Sequence, residues 1–191
     1  KAKGGHNING EMVSEIKKTG TQYQVTTRSS KYFGERIILA AGLGNRKLGS
    51  SIGLYIPVKP LRGQIIVTER MEKFHPYAAT QIRQSEEGSV MIGVSHEDVG
   101  MDDGTDTKVI NKISKHATRI FPKLARAQVV RIWGALRVMT PDGYPVYEES
   151  QTFPGIFCAA CHSGVTLAAA HVYSLAAALC ENALPNEVLP M

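Results

Sequence analysis

Residues 37–44 read Ile37-Ile38-Leu39-Ala40-Ala41-Gly42-Leu43-Gly44, and this stretch decides the fold class. The apolar run does not alternate, as in a strand covered on both faces, and parallel sheets bury their strands in this way. It ends at Gly42 and Gly44, where the chain turns sharply and backbone can come close to a ligand. Its counterpart lies far downstream. Ile156-Phe157-Cys158-Ala159-Ala160 is a second apolar run, followed by the tight connection His162-Ser163-Gly164. From Val165 to Glu181 the chain is rich in Ala and Leu and reads as one helix, with Leu184-Pro185 in a polar tail. Two buried strands, the second feeding a buried helix, describe a layered α/β domain.

Between and before these pieces the period changes. Residues 11–17 and 22–27 read as strands around a Lys18-Thr19-Gly20 turn. Ile65-Ile66-Val67-Thr68, residues 89–94 and residues 129–139 are β-rich, and Thr140-Pro141-Asp142-Gly143 is a turn. One helix is expected over 108–120, capped by Thr105 or Asp106 and stopped by Pro122. Its apolar positions Val109, Ile110, Ile113, Ala117 and Ile120 fall on one face. The expected organisation is α+β/α/β: a layered α/β domain in two pieces, 1–50 and 139–191, with a mostly antiparallel β-sheet domain inserted at 51–138.

Composition narrows the class. Hydrophobic residues make up 43% and charged residues 20%, which suits a globular chain. The net charge is +5, yet the basic residues form no long run, so nucleic acid is not the expected partner. A positive surface suits anionic ligands. There is no apolar run long enough for a membrane span. Cys158, Cys161 and Cys180 are odd in number, which argues against a disulfide scaffold; a cytoplasmic setting is expected. The chain opens Lys1-Ala2-Lys3 rather than with Met, and reads as a piece of a longer polypeptide.

Two further segments carry chemistry. In Trp133-Gly134-Ala135-Leu136-Arg137-Val138-Met139-Thr140-Pro141-Asp142-Gly143, Arg137 stands before a rigid turn. A guanidinium grips a carboxylate through two parallel hydrogen bonds; a surface ion pair is the alternative. In Cys158-Ala159-Ala160-Cys161-His162-Ser163-Gly164-Val165-Thr166, a strand runs into a helix start, where unpaired backbone N–H groups stabilise an anion. An ordinary strand–turn–helix is the alternative. Cys158 and Cys161 point to opposite faces of a strand, and the loop holding His96, Glu97, Asp98, Asp102, Asp103 and Asp106 reads as solvated, so no metal site is expected. Trp133 reads as core.

Taken together, these motifs resemble the FAD-dependent D-amino-acid oxidase and glycine oxidase superfamily, DAO. Leu39-Ala40-Ala41-Gly42, Arg137 with Thr140-Pro141-Asp142-Gly143, and His162-Ser163-Gly164-Val165 appear in family order, and Pro60-Leu61-Arg62-Gly63-Gln64 resembles the entry to the substrate domain. Ile82-Arg83-Gln84, His96-Glu97-Asp98-Val99-Gly100 and the stretch from His162 to Ala168 resemble, more narrowly, catalytic subunits of bacterial hydroxyproline or proline dehydrogenases, opine oxidases and hydrogen cyanide synthases.

The resemblance implies an FAD enzyme that oxidises the C–N bond of an amino acid or related amine by hydride transfer to flavin, with the imine hydrolysed afterwards. It implies that Arg137 holds the substrate carboxylate, with Arg83 and Tyr77 reaching the pocket. Flavin contacts are implied for Gly42, Leu43, Gly44, Arg62, Gln64, Gly134, Ala135, Pro141, Asp142, Gly143, His162, Ser163, Gly164, Val165 and Thr166. Other subunits of a hetero-oligomeric dehydrogenase are implied as partners. Two departures stand out. The family's N-terminal βαβ unit with G-x-G-x-x-G is missing from this chain, so the chain alone is expected to be inactive. Cys161 also stands where many members carry Gly. Alternative expectations are a sarcosine- or glycerol-3-phosphate-type dehydrogenase, and a non-catalytic module with the substrate-domain fold.

Overall fold

The computed structural model describes residues 4–77 and 79–181. The chain divides into two compact units, Lys1–Val58 with Val138–Met191 and Lys59–Arg137.

The first unit opens with an antiparallel meander: β1 (Val13–Thr19), β2 (Gln22–Thr27) and β3 (Lys31–Gly34). The β1–β2 turn uses Gly20 at φ +62°. β3 was not expected, because four residues are too few to display a period. A second sheet takes β4 (Ile37–Leu39), β10 (Ile156–Ala160) and β9 (Val146–Glu149), with β10 in the middle. β4 and β10 run parallel, Ile37 opposite Ile156 and Leu39 opposite Cys158. The two distant apolar runs thus meet in one sheet, as their composition predicts.

β10 explains the layering. Its residues alternate between two cores. Ile156, Cys158 and Ala160 face Ile16, Tyr23, Leu39, Ile52, Leu54, Ile56 and Val58. Phe157, one step out of phase, packs with Leu175 and Leu179 of the last helix. Burying a side chain such as Ile156 or Phe157 contributes about 1.5–3 kcal/mol. The segment 51–58 supplies Ile52, Leu54, Ile56 and Val58 to this core, which is why the first division falls after Val58 and not after residue 50. Between β4 and this segment lies a short helix, α1 (Asn45–Ser50).

Two expectations need correction. β4 is not buried on both faces: Leu39 is buried, whereas Ile38 is 51% exposed. As an edge strand, β4 packs Leu39 into the core and leaves Ile38 on the opposite face. The last helix starts three residues later than expected and is not buried. Residues 164–167 form a turn, and the helix follows as α3 (Ala168–Ala170), a π-helical turn (His171–Leu175) and α4 (Ala176–Cys180). Of its side chains only Leu175 and Leu179 are buried, while Tyr173 is 80% exposed. Ala and Leu favour the helix, but that preference says nothing about how much of it is covered. Leu184-Pro185 lies outside the described residues.

The second unit holds one antiparallel sheet in the order β6-β7-β5-β8: β5 (Lys59–Arg70), β6 (Ile82–Gln84), β7 (Ser89–Ile92) and β8 (Val129–Met139). α2 (Thr107–Ile120) packs Ile113 and Ala117 on Ile66, Ile82, Val90 and Ile92. Asp106 is its cap, accepting a hydrogen bond from the Lys108 N–H at 2.7 Å. Among the described residues no helix is long and apolar enough to cross a membrane.

Candidate functional site

In the first unit the Gly42-Leu43-Gly44 turn is a short 3-10 segment in which Gly42 has φ +57°. An L side chain is strained there, and a Cβ would press on Val138 Cγ2 at 3.3 Å. The turn is pinned by Asn45, whose fully buried side chain accepts from the Ala41 N–H at 2.8 Å. Asn45 was not foreseen; an Asn directly after a Gly-x-Gly turn is the only sequence signal.

The Thr140–Gly143 turn is closed from within. The buried Thr140 hydroxyl donates to the Tyr144 carbonyl at 2.7 Å, and Asp142 Oδ1 accepts from the Tyr144 N–H at 2.9 Å. Gly143 takes φ +82°. Pro141, Asp142 and Gly143 are exposed.

At the start of the last helix, His162, Ser163, Gly164, Val165 and Thr166 are all exposed, Val165 at 94%. The Leu167 N–H donates to the Ser163 carbonyl at 2.9 Å, which closes the first turn. The N–H groups of Gly164, Val165 and Thr166 find no acceptor among the described residues, as a helix start requires. His162 Nδ1 is 3.0 Å from the Ser163 hydroxyl. Behind this segment, Tyr147 Oη and His171 Nε2 are 2.7 Å apart, a pair with no sequence signature. Burial first, then the nearby Cys161, pushes the Tyr147 phenol up. Burial also pushes the Cys161 thiol up, and that of Cys158 to about 12.

In the second unit Arg137 is half-buried near the end of β8. Its Nη1 donates to the Ser95 carbonyl at 3.0 Å, and its guanidinium lies against the Cα of Gly63. Among the described residues no carboxylate pairs with it. Arg62 has the opposite environment. It is 4% exposed, and it donates to Glu97 through Nε at 3.2 Å and Nη2 at 2.7 Å, and to Asp102 through Nη1. Glu97 also accepts from Gln64 Nε2 at 2.9 Å and from the Ser95 hydroxyl at 2.6 Å. Burial alone would raise the Glu97 carboxyl, but the hydrogen bonds from Ser95, Arg62 and Gln64 together with the Arg62 charge hold it below the usual carboxylate range. The remaining amide oxygen of Gln64 takes the Asp106 N–H at 2.9 Å.

This geometry sorts the predicted residues of the second unit. The polar side-chain groups of Arg62 and Gln64 are engaged inside the unit, so they order the loop 95–106 and are not open to a ligand. Glu97 and Asp102, read from sequence as solvated, are the acids that hold them. Gly134 is small because the backbone carbonyls of Asp103 and Gly104 lie where its Cβ would be. Ala135 is exposed on β8. Arg83 and Tyr77 are exposed, and Arg83 sits on β6, the edge strand opposite β8, so the sheet does not bring Arg83 to Arg137. Trp133 is half-buried and faces the Arg131 guanidinium at 5.3 Å. Among the described residues no group of three His, Cys, Asp or Glu is placed to hold a metal.

Comparison with known proteins places these features in a family. The family of FAD dependent oxidoreductases, DAO, matches residues 1–178. The B subunit of opine oxidase from Agrobacterium tumefaciens (strain Ach5) is 38% identical over 176 residues, which cover 92% of this chain and 47% of that protein. Hydrogen cyanide synthase subunit HcnC of Pseudomonas protegens is 34% identical over 161 residues, 81% of this chain and 39% of that protein. The crystal structure of glycine oxidase from Geobacillus kaustophilus superposes with a TM-score of 0.80 at 22% identity, covering 92% of this chain and 49% of that one. The chain therefore spans half or less of the length of these relatives. Arg137, the Gly42–Gly44 turn and the open helix start all lie within the matched residues, and the chain belongs to the DAO family of FAD-dependent oxidoreductases.

Proposed function

We propose that this chain supplies the substrate side and part of the flavin side of an enzyme that oxidises the C–N bond of an amino acid or related amine. The observation that carries the proposal is Arg137: a half-buried guanidinium with one donor on the Ser95 carbonyl and no carboxylate of its own among the described residues. A cation so placed is stabilised by an incoming carboxylate, and its planar fork fixes the orientation of that group as well as its position. In this reading the second unit is the substrate domain and the first is part of the FAD domain.

The residues present fit a flavin. Among the described residues the N–H groups of Gly164, Val165 and Thr166 find no acceptor, and they stand at a helix start whose partial positive charge suits the anionic pyrimidine edge of a reduced flavin. The Gly42 turn, pinned by Asn45, and the Asp142–Gly143 turn, where nothing lies within 4 Å of a Cβ on Gly143, are the backbone segments we assign to the flavin. When bound, FAD accepts a hydride equivalent from the carbon that bears nitrogen. The chain's own contribution is orientation: Arg137 holds the carboxylate so that this carbon is presented in one pose. The amine reacts in its neutral form and the imine hydrolyses in water, so no general base has to be found in the chain. The ADP half of the cofactor calls for a G-x-G-x-x-G unit, which a further part of the protein would supply. Further subunits are part of the proposal, since the opine oxidase and hydrogen cyanide synthase relatives are both named as subunits.

A glycerol phosphate substrate fits less well. A dianion calls for more than one available cation, and Arg62 is already engaged by two carboxylates. The test is an anaerobic screen of the flavin-loaded enzyme with glycine, proline, hydroxyproline, sarcosine, opines and glycerol 3-phosphate. Bleaching of the flavin band by an amino acid or opine is expected. Bleaching by glycerol 3-phosphate alone would contradict the proposal.

A further inference from the structure

Arg137 reaches its acceptor by an unusual path. It starts on β8, one neighbour of β5, and ends at the Ser95 carbonyl, in the segment bridged to the other edge of β5 through Arg62 and Glu97. The guanidinium therefore crosses over β5, and it does so at Gly63. A Cβ built on Gly63 would overlap Nη1, Nη2 and Cζ of Arg137, the three atoms nearest to it. Gly63 does not have a positive φ, so its backbone does not require glycine. The missing side chain is what the site uses. At the far end of the path Ser95 is held from two sides: its hydroxyl accepts from the Gln64 N–H at 2.8 Å and donates to Glu97 at 2.6 Å.

We infer that Gly63 and Ser95 are positioning residues for Arg137: Gly63 provides the seat over which the guanidinium crosses the strand, and Ser95, locked by Gln64 and Glu97, provides the stop that sets how far it reaches. The inference deepens the proposed function and rests on its reading of Arg137 as the group that takes the substrate carboxylate. It assigns the glycine of Pro60-Leu61-Arg62-Gly63-Gln64 a role in ligand orientation and not in turning the chain. It also gives the buried Arg62–Glu97–Gln64 cluster a purpose: it fixes the segment from which the Ser95 carbonyl points at Arg137.

The test uses the whole flavin-loaded enzyme labelled with 15N. The Arg137 Nε–Hε cross-peak is assigned by its loss in R137A, and propionate is the probe, with propionamide as the neutral control. In G63A the other amide peaks and the melting midpoint should stay close to wild type, because the atoms nearest the new methyl belong to the end of a flexible side chain. The Arg137 peak should move to the position of a free arginine, and propionate binding should weaken by about tenfold, the loss of one charge-assisted hydrogen bond. S95A should shift the same peak in the same direction by less. G63A/R137A should match R137A, since the residue displaced is already gone. If G63A lowers the melting midpoint, the same double variant decides: recovery to the R137A value upholds the seat. An unmoved Arg137 peak in G63A, or a double variant damaged beyond R137A, overturns the inference. A wild-type peak that ignores propionate yet is dislodged by G63A upholds the seat and removes the carboxylate role from Arg137.

Discussion

At the scale of single residues, two arginines with the same chemistry have opposite environments. Arg62 is buried between acids, whereas Arg137 has, among the described residues, a carbonyl and no carboxylate. In the sequence Arg137 stands out as a cation before a rigid turn. The sequence does not distinguish it from Arg62, because the acids that engage Arg62 lie 35 and 40 residues away. Glu97 is visible in the sequence as part of an acidic loop and of a motif, and Gly63 only as part of a motif. Since the Glu97 carboxyl is depressed in the folded chain, its contribution to stability is full above the ordinary carboxylate range and is lost as pH falls toward its lowered value. Thermal melts across that acid range should therefore show a steep limb in the wild type and a flatter one in E97Q. The cysteines give a second expected outcome. Cys180 is exposed, whereas Cys158 is buried with its thiol pushed up to about 12. A thiol reagent at neutral pH should modify Cys180 first and Cys158 only on unfolding, as peptide mass mapping would report.

At the scale of elements, legibility followed the number of contacts that a pattern encodes. α2 was readable because its cap, its apolar face and Pro122 all agree. Replacing Asp106 by Ala should cost about 1 kcal/mol, read as a shift in the denaturant midpoint. β10 was readable because it is buried on both faces. β4 has the same composition but lies at the edge of the sheet formed by the described residues, and composition does not reveal an edge. The last helix looks buried from its composition because Ala and Leu serve both helix propensity and burial. In fact it is anchored by two leucines, Leu175 and Leu179, on Phe157. L179A should cost about 2–5 kcal/mol if the cavity stays open, and amide exchange should rise in residues 168–180 ahead of the rest of the first unit.

At the scale of the whole molecule, charge is unevenly distributed along the chain. From Thr107 to Pro141 there are eight Lys and Arg and no Asp or Glu, and Arg137 lies near the end of that stretch. A field of this sign draws anions toward it and weakens with salt. Propionate binding should therefore fall as NaCl is raised, while propionamide is indifferent. The claim on which the rest depends is that Arg137 takes the substrate carboxylate in a flavin enzyme that oxidises the adjacent C–N bond. Its most direct test is anaerobic stopped-flow reduction of the flavin-loaded enzyme and its R137A variant, with an amino acid substrate and with the amine that lacks the carboxylate. R137A should raise the half-saturating amino acid concentration by about 100-fold, the loss of a bidentate charge-assisted pair, and should leave the amine unchanged. Equal reduction of both enzymes by the amino acid would contradict the account.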